Sequence, residues 1–201
     1  MGRKVHYKLS KAFENGKRYT VKTYTTETRF TSVRLTVSHA VVYYYEGKIH
    51  RELGPAIEGY DTAKGASSFL YPNTSKTLKD KIKVRVWVKN GKLHNDFGPA
   101  IKESNGDYVY MRNGKIHRVG DLPAAENCEK IQYMVNGKLH RLNGPALEFK
   151  DPSKKNQNRF CIDGVELPRE AHINYDRKIK LDDILTGPDE PLEMLRIQIS
   201  A

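Results

Sequence analysis

Cysteine, tryptophan and long apolar runs are all scarce in this chain. It has two cysteines, Cys128 and Cys161, in 201 residues. Two thiols make neither a disulfide framework nor a zinc quartet, so reduced thiols and a cytoplasmic setting are expected. No apolar run approaches the ~18 residues that a membrane helix needs, so no membrane contact is expected. The first six residues are basic and no apolar stretch follows them, so they do not read as a secretory signal. Position 6 is His6 rather than Ser or Thr, which sets aside myristoylation at Gly2. Apolar residues make up 38% of the chain, which suits a thin core.

Several catalytic and cofactor signatures are missing too. Gly47-Lys48 and its recurrences lack the second spaced glycine and the Gly-Lys-Ser/Thr ending of a phosphate loop. There is no serine elbow, and the two cysteines match no Cys-His pattern. The carboxylate pairs Asp182-Asp183 and Asp189-Glu190 lie in an acidic, Gly- and Pro-containing tail and read as a solvated face. No enzyme activity, cofactor or metal is expected.

What the chain does have is repetition. Gly47-Lys-Ile-His-Arg-Glu-Leu-Gly-Pro-Ala56 returns as Gly91-Lys-Leu-His-Asn-Asp-Phe-Gly-Pro-Ala100 and Gly137-Lys-Leu-His-Arg-Leu-Asn-Gly-Pro-Ala146. A fourth copy, Gly114 to Ala124, carries one inserted residue. Gly91, Gly114 and Gly137 stand 23 residues apart. A fixed period of this length means a stack of one small supersecondary unit. In residues 99–117, Asn105-Gly106 and Asn113-Gly114 are tight-turn signals on either side of the strand Tyr108 to Arg112. Each unit is a hairpin plus a corner, too small to bury its own apolar face, so neighbours must stack. Tyr44 and Tyr45, Trp87, Tyr110, Tyr133 and Phe160 read as the ladder of the core.

The repeat wording resembles MORN-type arrays of 23-residue β-hairpins, and is similar to repeats in uncharacterised proteins of large phages and giant viruses. The resemblance covers about residues 41–167 and lacks the Gly-x-Gly element usual in MORN repeats. It implies a scaffold with an interaction surface, and it brings no catalytic residue.

His50, His94, His117 and His140 invite a metal reading. A zinc ion needs three or four donors at about 2 Å, whereas equivalent residues of a stack lie about 10 Å apart. A structural role is expected instead, with each imidazole bonding backbone left open at the Gly-Pro-Ala corner, where proline has no donor. Gly54, Gly98 and Gly144, before those prolines, are expected in conformations that a Cβ forbids.

Net charge is +11 and unevenly placed. Residues 1–34 hold nine basic and two acidic side chains, or +7, and residues 181–201 hold one basic and five acidic, or −4. A basic front suits an acidic partner or nucleic acid. Insertions mark where arrays work. The long one, residues 59–83, sets Lys64, Lys76, Lys79 and Lys81 around Phe69 and Tyr71. The short one, residues 150–159, holds Lys154, Lys155 and Arg159. Both are expected at one edge, about three repeats apart, as basic prongs or as disordered loops.

The expected fold is mainly β: a stacked hairpin array (residues 41–167, with the insertion at 59–83), an N-terminal basic β cap (residues 1–40) and a C-terminal cap (residues 168–201). The N-terminal cap should hold two strands within residues 19–35, and a helix is expected over 168–178. An apolar strip, residues 192–199, is expected to pack on the last repeat. The expected function is non-enzymatic binding of a macromolecule, foremost a protein. The resemblance to repeats of phage and giant-virus proteins implies one form of it, a viral accessory protein that inhibits a host component such as a defence system. Nucleic-acid binding through the basic N-terminus and loops is the alternative.

Overall fold

A computed structural model describes residues 6–61 and 82–186. The chain opens with a hairpin of β1 (Tyr7–Glu14) and β2 (Lys17–Tyr24). Asn15 and Gly16 make its turn at φ 49° and 72°, the pair of positive angles that matches strand twist. After β3 (Thr28–Phe30) and one 3-10 turn (Thr31–Val33) comes the long strand β4 (Leu35–Tyr45). The strands of the N-terminal cap therefore begin at Tyr7 rather than within residues 19–35, and the cap has one hairpin more than the two strands expected. Lys8, Ser10 and Lys11 dilute the alternation there, although Asn15-Gly16 announces the turn.

From β4 onward the chain repeats one manoeuvre. A strand of the main sheet runs on through an aromatic residue into a tight turn, makes a two- or three-residue return strand, loops out, and re-enters the main sheet at alanine. The first return strand is β5 (Lys48–Ile49), and re-entry is β6 (Ile57–Asp61). The second unit is β7 (Lys83–Val86), β8 (Val88–Lys89), β9 (Lys92–Leu93) and β10 (Ile101–Glu103). The third is β11 (Tyr108–Val109), β12 (Met111–Arg112), β13 (Lys115–Ile116) and β14 (Ala125–Glu126). The fourth is β15 (Lys130–Gln132), β16 (Met134–Val135), β17 (Lys138–Leu139) and β18 (Leu147–Phe149). A last short hairpin, β19 (Phe160–Ile162) and β20 (Val165–Leu167), precedes helix α1 (Arg169–Thr186). The main sheet is an antiparallel meander in the order β1-β2-β4-β6-β7-β10-β11-β14-β15-β18, and β4 runs through residue 40 with a register shift against β6 between Ser38 and Val41.

The turns at Asn90-Gly91, Asn113-Gly114 and Asn136-Gly137 all take two positive φ angles, as do Glu46-Gly47 and Asp163-Gly164. Asn105-Gly106 does not. Only Gly106 is positive there, and the Asn105 side chain instead accepts the backbone N–H of Asp107 at 3.0 Å.

Along the repeats the core is aliphatic, and Tyr24 and Phe30 join it at the N-terminal end. Val42, Val84, Val86, Val88, Ile57, Ile101, Val109 and Met111 are buried together, and Ala56, Ala100, Ala124 and Ala146 are wholly inaccessible. Successive strand residues point to opposite faces. With Val86 and Val88 inside, Trp87 must face the other way, and it is only half-buried, as are Tyr43, Tyr110 and Phe160. This corrects the expected aromatic core ladder at Trp87, Tyr110 and Phe160, whereas Tyr133 is buried and Tyr44 packs, half-buried, against the core. Its first rung is also shifted: Tyr43, not Tyr44 or Tyr45, stands four residues before its turn glycine, as Trp87 does.

The histidines join one unit to the next. Nδ1 of His50 accepts the backbone N–H of Asn90 at 3.0 Å. His94 accepts Asn113 at 3.1 Å, His117 accepts Asn136 at 3.1 Å, and His140 accepts Asp163 at 3.2 Å. Beside each link the next turn glycine donates to the previous return strand: Gly91 to Ile49 at 2.9 Å, and Gly114, Gly137 and Gly164 to Leu93, Ile116 and Leu139 at 2.8 Å. The imidazole thus serves the following Asn-Gly turn, not its own Gly-Pro-Ala corner as expected. Of Gly54, Gly98 and Gly144, only Gly144 has a positive φ, 147°. At Gly54 a Cβ would lie 3.3 Å from the Arg51 guanidinium, and at Gly98 it would make ordinary contact.

Leu167 stands where earlier hairpins have histidine, and α1 begins two residues later. The helix is longer than expected and includes Asp182 and Asp183, which the sequence reading put in the tail. It docks through His172, which is buried against the Phe160 ring with Nε2 2.7 Å from the Arg141 carbonyl. The apolar strip at residues 192–199 lies outside the described residues.

Candidate interaction surfaces

Between histidine and alanine each unit leaves the sheet in a loop, and the loop is pinned along its length. The histidine N–H donates to the carbonyl of the aromatic residue across the hairpin: His50 to Tyr43, His94 to Trp87, His117 to Tyr110 and His140 to Tyr133, at 3.0–3.1 Å. The next residue donates its N–H into the following unit, Arg51 to Val88 at 3.3 Å and Arg118 to Met134 at 2.9 Å. Its side chain reaches the proline carbonyl of its own loop: Arg51 to Pro55, Asn95 to Pro99, Arg118 to Pro123 and Arg141 to Pro145, at 2.9–3.3 Å. Where that residue is arginine, its guanidinium lies 3.6–3.9 Å from the centre of the tyrosine ring below. The arginine–tyrosine stack is a cation–π contact and covers the half-buried aromatic.

These loops are ordered by polar contacts, so their apolar tips are left over. Phe97 is 100% exposed, Leu53 69%, Val119 61%, and Leu122 nearly half. Each of the first three units contributes at least one, and units are spaced about 10 Å apart along the stack. Scattered exposed apolar residues are ordinary, but exposed apolar tips on three successive loops make a row. Carboxylates flank the row and are already engaged. Asp96 lies 2.9 Å from His94 Nε2 and 3.3 Å from Lys89, and the His94 contact chiefly holds its carboxyl below the usual range. Glu52 pairs with Lys17, and Asp121 accepts Arg141 Nε at 3.1 Å. The row ends at Leu142, which is half-buried beside α1 in a cavity of about 360 Å³ with Phe160, His172 and Ile173.

A second surface lies at the N-terminal end, on the opposite face of the sheet. Tyr7, Tyr24, Phe30 and Tyr44 cluster there, with the Tyr24 and Tyr44 hydroxyls 3.2 Å apart. Burial, then the Tyr24 hydrogen bond, pushes the Tyr44 phenol far above its ordinary value. Lys22 Nζ sits 4.5 Å from the Tyr7 ring centre and 4.9 Å from that of Tyr44.

The basic prongs expected from sequence are only partly described. Lys64, Phe69, Tyr71, Lys76, Lys79 and Lys81 lie outside the described residues. Lys154 and Lys155 are exposed on a 3-10 turn (Pro152–Gln157) whose first N–H groups are capped by Asp151. That segment is ordered, at the end of the strands away from the Asn-Gly tips. Arg159 is not on the prong. It sits in the sheet beside Leu147, with Nε 3.9 Å from Glu166.

Among the described residues no three His, Cys, Asp or Glu side chains converge on a metal position. Among the same residues no helix is long and apolar enough to cross a membrane. Sequence reading missed the loop row, and it marked the N-terminal surface by its charge but not by its rings. The signal for the first was an apolar residue two or three places after each histidine, in a loop otherwise rich in Gly and Pro. No protein-family model, curated protein or solved structure matches this chain.

Proposed function

We propose that the chain is a non-enzymatic binding scaffold that docks a protein partner on the row of loop tips Leu53, Phe97, Val119 and Leu122. The observation that carries this reading is Phe97, a large apolar side chain wholly in solvent on a loop held by hydrogen bonds at each end. An ordered loop loses little freedom on binding, and a buried aromatic anchor supplies much of an interface's energy. The partner carries apolar pockets about 10 Å apart. Lys154 and Lys155 offer a separate cationic contact. The likeness of the repeat wording to MORN-type arrays points the same way, and a viral accessory protein acting on a host component is one member of this class. Affinity capture from lysate, with nuclease, tests it: proteins held by the wild type and released by a Leu53→Asp/Phe97→Asp variant are the partners. A variant with an unchanged capture profile overturns the assignment of the row.

A further inference from the structure

The N-terminal face carries a second site that does not depend on the loop row. Strands β1 and β2 pair in a register that sets Tyr7 against Tyr24, Leu9 against Lys22, Lys11 against Thr20 and Phe13 against Arg18. Cross-strand partners share a face. That face therefore interleaves rings with cations, and its two β1 rings are open: Phe13 is 73% exposed and Tyr7 47%, while Tyr24 is buried. It continues into a cavity of about 390 Å³ lined by Tyr7, Tyr24, Phe30, Tyr44, Arg29 and Lys48. Among the described residues no carboxylate stands on this face of the hairpin or lines the cavity. Glu14, the one acidic residue of the hairpin, belongs to the opposite face, where it pairs with Arg51 at 2.6 Å.

We propose that this face binds single-stranded nucleic acid, with bases stacked on Phe13 and Tyr7 and phosphates met by Lys11, Arg18, Lys22, Arg29 and Lys48. Charge complementarity selects an anionic ligand. The open rings select one with unpaired flat faces, which a duplex keeps inside its stack. Rings interleaved with cations are how single strands are held without reading their sequence. A purely acidic peptide would satisfy the cations and leave the rings idle. The cavity at the end of the face is large enough to take a terminal base beside Phe30 and Tyr44.

The experiment is fluorescence anisotropy with the full chain and labelled 15-nucleotide probes: oligo(dT), oligo(U), a duplex of equal length, and polyglutamate. The single strands should bind more tightly than the duplex or polyglutamate, and affinity should fall as salt rises. Phe13→Ala should weaken single-strand binding by about tenfold or more. Lys22→Gln should lower the magnitude of the slope of log affinity against log salt by about 0.7. Phe97→Asp should change neither, which separates this site from the loop row. Phe13 is exposed, so its variant should keep the wild-type circular dichroism and melting curve, and that is checked first. Duplex or polyglutamate bound as tightly as the single strands overturns the proposal. So does unaltered affinity in Phe13→Ala, or no binding of any strand at low salt.

Discussion

Asn113 donates its backbone N–H to Nδ1 of His94, 3.1 Å away and one unit back along the chain. The same link recurs at His50, His117 and His140. One side chain thereby satisfies a turn amide in the next hairpin and fixes the rise of the stack.

Removing that acceptor leaves the amide to water. His94→Ala is expected to lower stability by about 1–2 kcal/mol, the range for one hydrogen bond with some lost packing. Urea denaturation monitored by circular dichroism measures it. His140→Ala should cost less, because that ring is more exposed and Asp163 places a carboxylate 3.0 Å from the same nitrogen.

His50 gives the array a dependence on pH. Burial, assisted by Lys17, lowers its pKa below the ordinary 6.5. The folded state therefore favours the neutral ring, whose Nδ1 must keep a lone pair for Asn90. Its contribution is fully present above pH 6.5 and is lost as the pH falls toward the lowered folded value, where the unfolded chain takes up a proton that the folded chain resists. The urea midpoint should hold steady from pH 8 to 7 and decline below 6.5. His50→Gln should flatten that part of the profile.

The N-terminal hairpin is tied to the first loop by Arg51, which makes two bonds to Glu14, at 3.0 and 2.6 Å, while stacking on Tyr43. The pair is partly buried and bidentate, so it should exceed an ordinary surface ion pair. Glu14→Gln is expected to cost about 1 kcal/mol and to speed amide exchange in β1 and β2 more than elsewhere. Arg51→Lys should reproduce most of the loss, because a lysine cannot make the fork.

Ala100 has no accessible surface, and its N–H and carbonyl bond to Val109 and Trp87 at 2.8 Å. Ala100→Leu should destabilise by about 1–3 kcal/mol through overpacking. A shift in the thermal midpoint reads it out, and an unchanged midpoint would mean that the corner has spare room.

The period was legible because it is written in residues whose jobs are local. Asn-Gly needs only its own two dihedrals, and Gly-Pro-Ala only its own corner. What the histidine bonds to was not legible, since the acceptor–donor pair spans two units and no local rule links position 94 to position 113. Aromatic size misled the reading of the core. Trp87 looks like a core residue until its neighbours Val86 and Val88 claim the inside and alternation sends it out. The loop tips escaped notice because an apolar residue in a loop adds nothing to a strand or helix pattern. On the N-terminal face Tyr7 and Phe13 are six residues apart, and only the register of β1 on β2 shows that cations fill the space between them.

Leu167 ends the series. Every earlier return strand hands an imidazole nitrogen forward, and this one has none to offer. A further hairpin arriving at that position would find its turn amide unmet and α1 already seated. Among the described residues the register of links closes at this point, with the helix in the place where another imidazole would be needed.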